Sequence, residues 1–172
     1  MNRYFTLMAA AFVCTGAFAQ DNPLSSGAKT LYGMVKGNLV KAAEKMPEEN
    51  YSFKPTPDVR SFGQLIGHVT DAQYAFCSAV KGEKKASTAE KTKTSKADLV
   101  AAIKESVAYC DSVYNSMTDT AAAETLKFFG GDWAKLTILS FNVAHDNEHY
   151  GNIVTYMRLK GLVPPSSENA GR

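Results

Sequence analysis

The chain has 172 residues, of which 45% are hydrophobic, with 12 Gly and 6 Pro. This length and apolar content suit one globular domain with a sizeable core, and they exclude collagen-like, low-complexity and mostly disordered chains. The 19 Lys and Arg nearly balance the 17 Asp and Glu, so the formal net charge is only +2. Because such a balance provides no broad basic face, we expect no nucleic-acid partner.

The first 19 residues have the pattern of a secretory signal peptide. A short positive start that ends at Arg3 precedes an apolar, uncharged run over 4–18, and Ala19 completes a small-x-small cleavage sequence. The alternative is a membrane anchor, but the run is shorter than the ~20 residues that a span needs. We therefore expect cleavage before Gln20, a periplasmic or secreted protein without a membrane span, and a single mature domain over 20–172.

Apolar residues at spacings of three and four predict two helices in the first half of the mature chain. The first helix runs over 23–46 and is followed by a proline-rich loop over 47–60. The second begins at Ser61, where Ser61 and Gln64 have the form of a capping box, and it stops near Gly82.

Two more helices are predicted in the second half. A polar, lysine-rich linker over 82–95 is expected to be solvated, with a lysine patch for an anionic partner as the alternative. A third helix follows over 95–117, then a loop over 118–131 with a short helical piece, and Asp132 caps a final helix over 133–160. No segment shows sustained alternation, so no sheet is expected, and the fold class is all-α, a four-helix bundle.

Whether two cysteines of the mature chain can form a disulfide depends on the relative direction of the second and third helices. Cys14 leaves with the signal peptide, and the residues before it lack the lipoprotein pattern, so Cys77 and Cys110 remain. They could form one disulfide in an oxidising compartment, or they could be two small buried residues. In antiparallel helices they would lie ~13 Å apart, beyond the ~7 Å that a disulfide allows. Parallel helices would bring them level.

The three histidines of the chain, His68, His145 and His149, are the candidate functional site. His145 and His149 lie four residues apart on the last helix, so their Cβ atoms are about 5–6 Å apart on one face. Two imidazoles at this spacing can reach one divalent metal. The alternative is that the pair arose by chance and that each buried histidine is simply hydrogen-bonded, although burying three imidazoles without a common purpose is costly.

Two stretches of the sequence resemble the DinB/YfiT-like superfamily. The last helix and its exit, AHDNEHYGNIVTYMRLKGLVPP over 144–165, are similar to the family's C-terminal His-x-x-x-His signature, and FGQLIGHVTDAQYAF over 62–76 is similar to its second helix. The resemblance extends over essentially the whole mature chain. It implies a four-helix bundle in which His68, His145 and His149 hold a divalent ion, usually zinc or nickel, with positions open to water or substrate.

The surroundings of the histidines suggest further roles. Glu148 lies ~60° from His145 around its helix and Asp71 ~60° from His68, so either could be a general base, although both could also be surface carboxylates. Asp146 lies ~100° away from His145 and is expected to be solvated.

Gln64 and Asn152 are the candidate hydrogen-bonding neighbours of the ligands. Asn152 stands where the family commonly has Gln, which keeps the amide but shortens the side chain.

The chemistry of such a site allows several functions. Three neutral imidazoles leave the ion its +2 charge, which suits metal-assisted hydrolysis. It equally suits activation of a thiol, which members resembling bacillithiol or mycothiol transferases perform. Export weakens the thiol-transferase hypothesis, because small thiols are kept reduced mainly in the cytosol. We expect an exported metal-dependent hydrolase or transferase acting on a small molecule. The alternative is a non-catalytic metal- or ligand-binding bundle, and homo-oligomerisation is left open.

Overall fold

The computed structural model describes residues 21–168, which fold as a bundle of four long helices, and the predicted all-α class is confirmed. The connections between them hold a 3₁₀ turn over Glu48–Asn50, two single-turn α-helices and one small hairpin. The elements in chain order are α1 (Pro23–Lys45), α2 (Phe62–Lys81), α3 (Ala89–Thr92), α4 (Lys96–Ser116), α5 (Asp119–Ala122), β1 (Thr125–Phe128), β2 (Gly131–Ala134) and α6 (Lys135–Leu159).

Each long helix packs against two others, because α1 and α2 both contact α4 and α6. The ion pairs Lys36–Asp111 and Lys104–Glu44 show that α1 and α4 are antiparallel. All four long helices contribute fully buried aliphatic side chains to one core. Examples, one from each helix in chain order, are Leu39, Ile66, Ile103 and Ile153.

A disulfide joins α2 to α4. Cys77 and Cys110 are bonded, with Cα atoms 5.4 Å apart, and both residues are fully buried. The start of α2 also meets the start of α4, since a Cβ on Gly63 would lie 3.2 Å from a Leu99 methyl carbon. The two helices are therefore parallel, which is the arrangement predicted to bring the two cysteines level. The connection between the helices crosses over the bundle.

The linker over 82–95 is not fully solvated, so that expectation is wrong in part. Its α3 turn packs on α2 so closely that a Cβ on Gly67 would lie 2.6 Å from the Glu90 Cα. The Asp71 carboxylate accepts hydrogen bonds from the backbone N–H groups of Ala89 at 2.7 Å and Glu90 at 3.1 Å. A glycine and a carboxylate on α2 thus fix the position of α3. Ala89, the first residue of α3, is buried.

The expectation of a loop over 118–131 without any sheet is also wrong. The antiparallel pairing of β1 and β2 sets Phe128 opposite Gly131 and leaves Phe129 and Gly130 as a two-residue turn. Both turn residues have positive φ, 47° and 79°, as the mirror-image turns of tight hairpins require.

The last helix begins two residues later than expected. Asp132 does not cap it, because this residue lies in β2 and its carboxylate pairs with Lys127 across the hairpin at 2.8 Å. The helix starts instead at Lys135, after strand residue Ala134.

The predicted signal peptide over 1–19, with Cys14, lies outside the described residues. Between residues 21 and 168 the structure contains no helix with the length and apolar character needed to cross a membrane.

Candidate metal centre

The three histidines converge in the groove between α2 and α6. His68 on α2 and His149 on α6 each place Nε2 close to the Nε2 of His145, at 3.2 Å and 3.1 Å. One ring nitrogen from each residue lies within 4.8 Å of the other two. Two nitrogens bonded to one ion at ~2.1 Å are at most ~4.2 Å apart, and the two distances to His145 Nε2 lie within this limit. The predicted convergence is therefore confirmed.

The protonation of the rings fits a metal ligand set. Burial lowers the pKa of His145 to about 4, with His149 and His68 adding to the effect, and burial also lowers the pKa of His149. Both rings are therefore neutral near pH 7, which is the form that binds metals. If ring protons alone joined the three Nε2 atoms, the single lone pair of the His145 Nε2 would have to accept both of them. A shared cation instead accepts one lone pair from each ring.

Of the three remaining ring nitrogens, that of His68 has the partner expected of this orientation. The Nδ1 atoms of His145 and His149 are buried and have no hydrogen-bond partner within residues 21–168. The Nδ1 of His68 lies 2.9 Å from a Glu90 carboxylate oxygen. Metal-binding histidines commonly donate their second N–H to a carboxylate, which fixes the tautomer and the ring orientation.

Glu90 is the site residue that sequence reasoning missed. Its other oxygen accepts a hydrogen bond from Arg60 Nε at 2.7 Å, so one carboxylate bridges Arg60 and His68. Partial burial raises the pKa of Glu90, but hydrogen bonds from Arg60 and His68 outweigh this, and the net pKa is lowered. The residue lies in a polar segment without helical periodicity. The packing of α3 on Gly67 and its hydrogen bonds to Asp71 place Glu90 beside the histidines.

The two candidate general bases lie in different environments. Both Asp71 oxygens accept backbone hydrogen bonds from α3 and therefore stabilise that turn. Glu148 is exposed on the wall of a cavity beside His149, and its negative charge acts on the His149 ring by raising its pKa against the larger effect of burial. Of the two carboxylates, only Glu148 is free to accept a proton in the cavity.

The cavity has a volume of about 650 Å³ and opens beside His149. Its wall is formed by the loop before α2 and by the facing sides of α2 and α6. The polar residues lining it are Lys54, Thr56, Asp58, Arg60, Gln64, Glu90, Glu148, His149, Asn152 and Tyr156.

Gln64 and Asn152 line this cavity without touching the ligands. The Gln64 side chain accepts a hydrogen bond from the Ser61 N–H at 2.9 Å, as the capping box predicts. Asn152 is exposed. Neither side chain hydrogen bonds to a histidine in the part of the chain that the structure describes, so the expected contacts with the ligands are not seen.

Asp146 is fully buried, and its expected solvation is wrong. The histidine pair lies at the groove, at the edge of the core, so a rotation of ~100° from His145 leads into the bundle interior. One carboxylate oxygen lies 3.4 Å from the Gln73 amide nitrogen and the other has no partner within the described residues. Burial raises the pKa of Asp146 well above its ordinary value.

Fold and site together define a class, a four-helix bundle with three histidines gathered between two antiparallel helices. The sequence model of the DinB superfamily matches residues 34–153. The chain therefore belongs to the DinB superfamily.

The similar proteins agree with this membership. The uncharacterized protein YjoA of Bacillus subtilis strain 168 is 22% identical over 122 residues, which is 69% of this chain and 79% of that protein. The crystal structure of a DinB-like protein from Bacillus cereus ATCC 10987 superimposes with a TM-score of 0.72 at 20% identity, over 81% of this chain and 95% of that one. The crystal structure of YjoA from Bacillus subtilis superimposes with a TM-score of 0.65 at 23% identity, over 81% of this chain and 92% of that one. At these identities the structures show the fold alone.

Proposed function

We propose that this chain is a metal-dependent enzyme, a hydrolase or transferase, that acts on a small molecule at a three-histidine site. The observation that carries the proposal is the convergence of three Nε2 atoms beside an open cavity of about 650 Å³. The metal is zinc or nickel, because neutral imidazoles suit both ions.

Each residue of the site has a role in this proposal. A divalent ion held by three neutral imidazoles keeps its full charge and lowers the pKa of water or a thiol at an open position. Glu90 holds the His68 ring through Nδ1, and Arg60 holds Glu90 in turn. Glu148 lies on the cavity wall beside His149, where its carboxylate can accept a proton from the reacting group.

The test uses the metal-loaded mature protein with panels of hydrolase and thiol-transfer substrates, and the chelated protein as control. We expect turnover that disappears on chelation and returns on reloading. Glu148→Gln should lower kcat by about 100-fold or more while keeping the metal. Glu105→Gln removes an exposed carboxylate from α4 and should change neither quantity.

Two results would contradict the proposal. Full metal occupancy without turnover on any substrate would favour the non-catalytic metal- or ligand-binding alternative. Equal activity of the parent protein and Glu148→Gln would remove Glu148 from the proposed chemistry.

A further inference from the structure

A cluster of aromatic rings lies at the other side of the histidines, next to His145. The Phe76 ring on α2 is 5.5 Å from the His145 ring and 5.5 Å from the Phe141 ring on α6. The hairpin adds three more rings to the cluster. We call the five residues the aromatic wall: Phe76, Phe128, Phe129, Trp133 and Phe141.

The aromatic wall is buried at its base and open at its edge. Phe76 is only 4% exposed, whereas Phe141 is 39% and Phe129 69% exposed. Phe129 nevertheless stays close to the other rings, at 6.0 Å from Trp133 and 6.1 Å from Phe141. Contiguous exposed apolar surface of this kind marks a binding site more often than an isolated exposed residue does.

The position of Phe129 is unfavourable for the fold itself. Its φ of 47° makes it the one non-glycine residue with positive φ between residues 21 and 168. Bulky residues rarely adopt this conformation, and Asn-Gly is preferred where Phe129 and Gly130 form the turn. Neither the turn geometry nor burial therefore accounts for a phenylalanine here.

We propose that the aromatic wall binds an aromatic group of the substrate, next to the group that reacts at the three histidines. This inference rests on the proposed function and narrows the substrate class to small molecules with an aromatic ring. Rings of the substrate can stack on Phe129 and Phe141 or meet them edge to face. The ring contact between Phe76 and His145 makes the wall continuous with the site. The cavity at His149, lined by charged side chains, accommodates a polar part.

The test compares acetohydroxamate with benzohydroxamate, two metal-binding probes that differ by a methyl or a phenyl group. Each is titrated into the Co²⁺-loaded protein, and the change in visible absorption gives Kd. We expect benzohydroxamate to bind about 10-fold more tightly.

The variant Phe129→Asn separates binding from folding. The phenyl preference is the ratio of the acetohydroxamate Kd to the benzohydroxamate Kd. Phe129→Asn should remove most of this preference and leave the Kd of acetohydroxamate unchanged. Its thermal midpoint should not fall, because Asn is favoured at positive φ. Phe141→Leu is a second variant that should also weaken the preference. As a control, Leu159→Ala removes a side chain that is 58% exposed at the end of α6 and should change neither Kd.

Each contrary outcome has a distinct meaning. If neither hydroxamate changes the spectrum, the open metal position is absent, and both this inference and the proposed function fail. If acetohydroxamate binds without any phenyl preference, or if the preference survives in both variants, only the aromatic subsite is overturned. A preference that falls together with the thermal midpoint in both variants would assign the aromatic wall a structural role and would also overturn it.

Discussion

At the scale of single residues, His145 shows how packing changes the chemistry of a side chain. In the metal-free protein its pKa is lowered from 6.5 to about 4, chiefly by burial. Between these two values the unfolded chain binds more protons than the folded chain. The free energy of unfolding should therefore fall as the pH is lowered from about 6.5 toward 4.

Urea unfolding of the chelated protein at several pH values measures this dependence. His145→Gln should have a shallower fall in the same pH range, because it lacks the titrating ring. An equal dependence in the parent protein and His145→Gln would show that His145 titrates normally.

The sequence predicted the three converging histidines but not their neighbours. His145 and His149 share a helix face by their spacing alone, and His68 is the one other histidine of the chain. The family resemblance then implied that all three bind one ion. Glu90 could not be assigned, because its position depends on a tertiary contact between α3 and α2. Asp146 was misassigned, because periodicity gives the angle between residues on one helix but not which side of that helix the core covers.

At the scale of elements, Gly67 determines whether α3 can reach the site. A methyl group at Gly67 would lie 2.6 Å from the Glu90 Cα, whereas one at Gly33 on α1 would meet nothing within 4 Å. Gly67→Ala should therefore displace α3, separate Glu90 from His68 and weaken metal binding about 10-fold.

Gly33→Ala is the matched control for this substitution. It should leave the metal affinity unchanged and raise the free energy of unfolding by up to about 1 kcal/mol, since alanine favours the helix. Competition with a chelator measures the affinity. Equal affinity in Gly67→Ala and the parent protein would contradict the assigned role of α3.

The disulfide stabilises the crossover between α2 and α4. It closes a loop between residues 33 apart in sequence, and the loss of such a constraint costs about 4 kcal/mol. The double variant Cys77→Ala/Cys110→Ala should lose about this much free energy of unfolding in urea, and reduction of the parent protein should have a similar effect. A thiol titration of the unfolded, unreduced protein that finds two free thiols would contradict the bridge.

The four long helices could be predicted from the spacing of apolar residues, but the hairpin could not. Its strands have only four residues each, too few for a convincing alternation. Its turn contains Phe129 in place of a residue typical of tight turns. The unpredicted hairpin also explains the error in the start of the last helix. Asp132 is a residue type that commonly caps helices, but here it lies in strand β2.

At the scale of the whole molecule, the sequence predicts an exported protein. Mass spectrometry of the protein from its native host should find a chain that begins at Gln20. This prediction depends only on the pattern of the first 19 residues. A soluble cytoplasmic chain that retains Met1 would contradict it.

The central claim is that one divalent ion is held by three histidines, and metal analysis of the purified mature protein tests it most directly. After loading with zinc or nickel and removal of excess metal, the parent protein should retain about one ion per chain. Glu148→Gln should retain the same amount, while His145→Ala should retain almost none and lose the thermal stabilisation that metal gives the parent. Stoichiometric metal in His145→Ala, or none in the parent protein, would contradict the account.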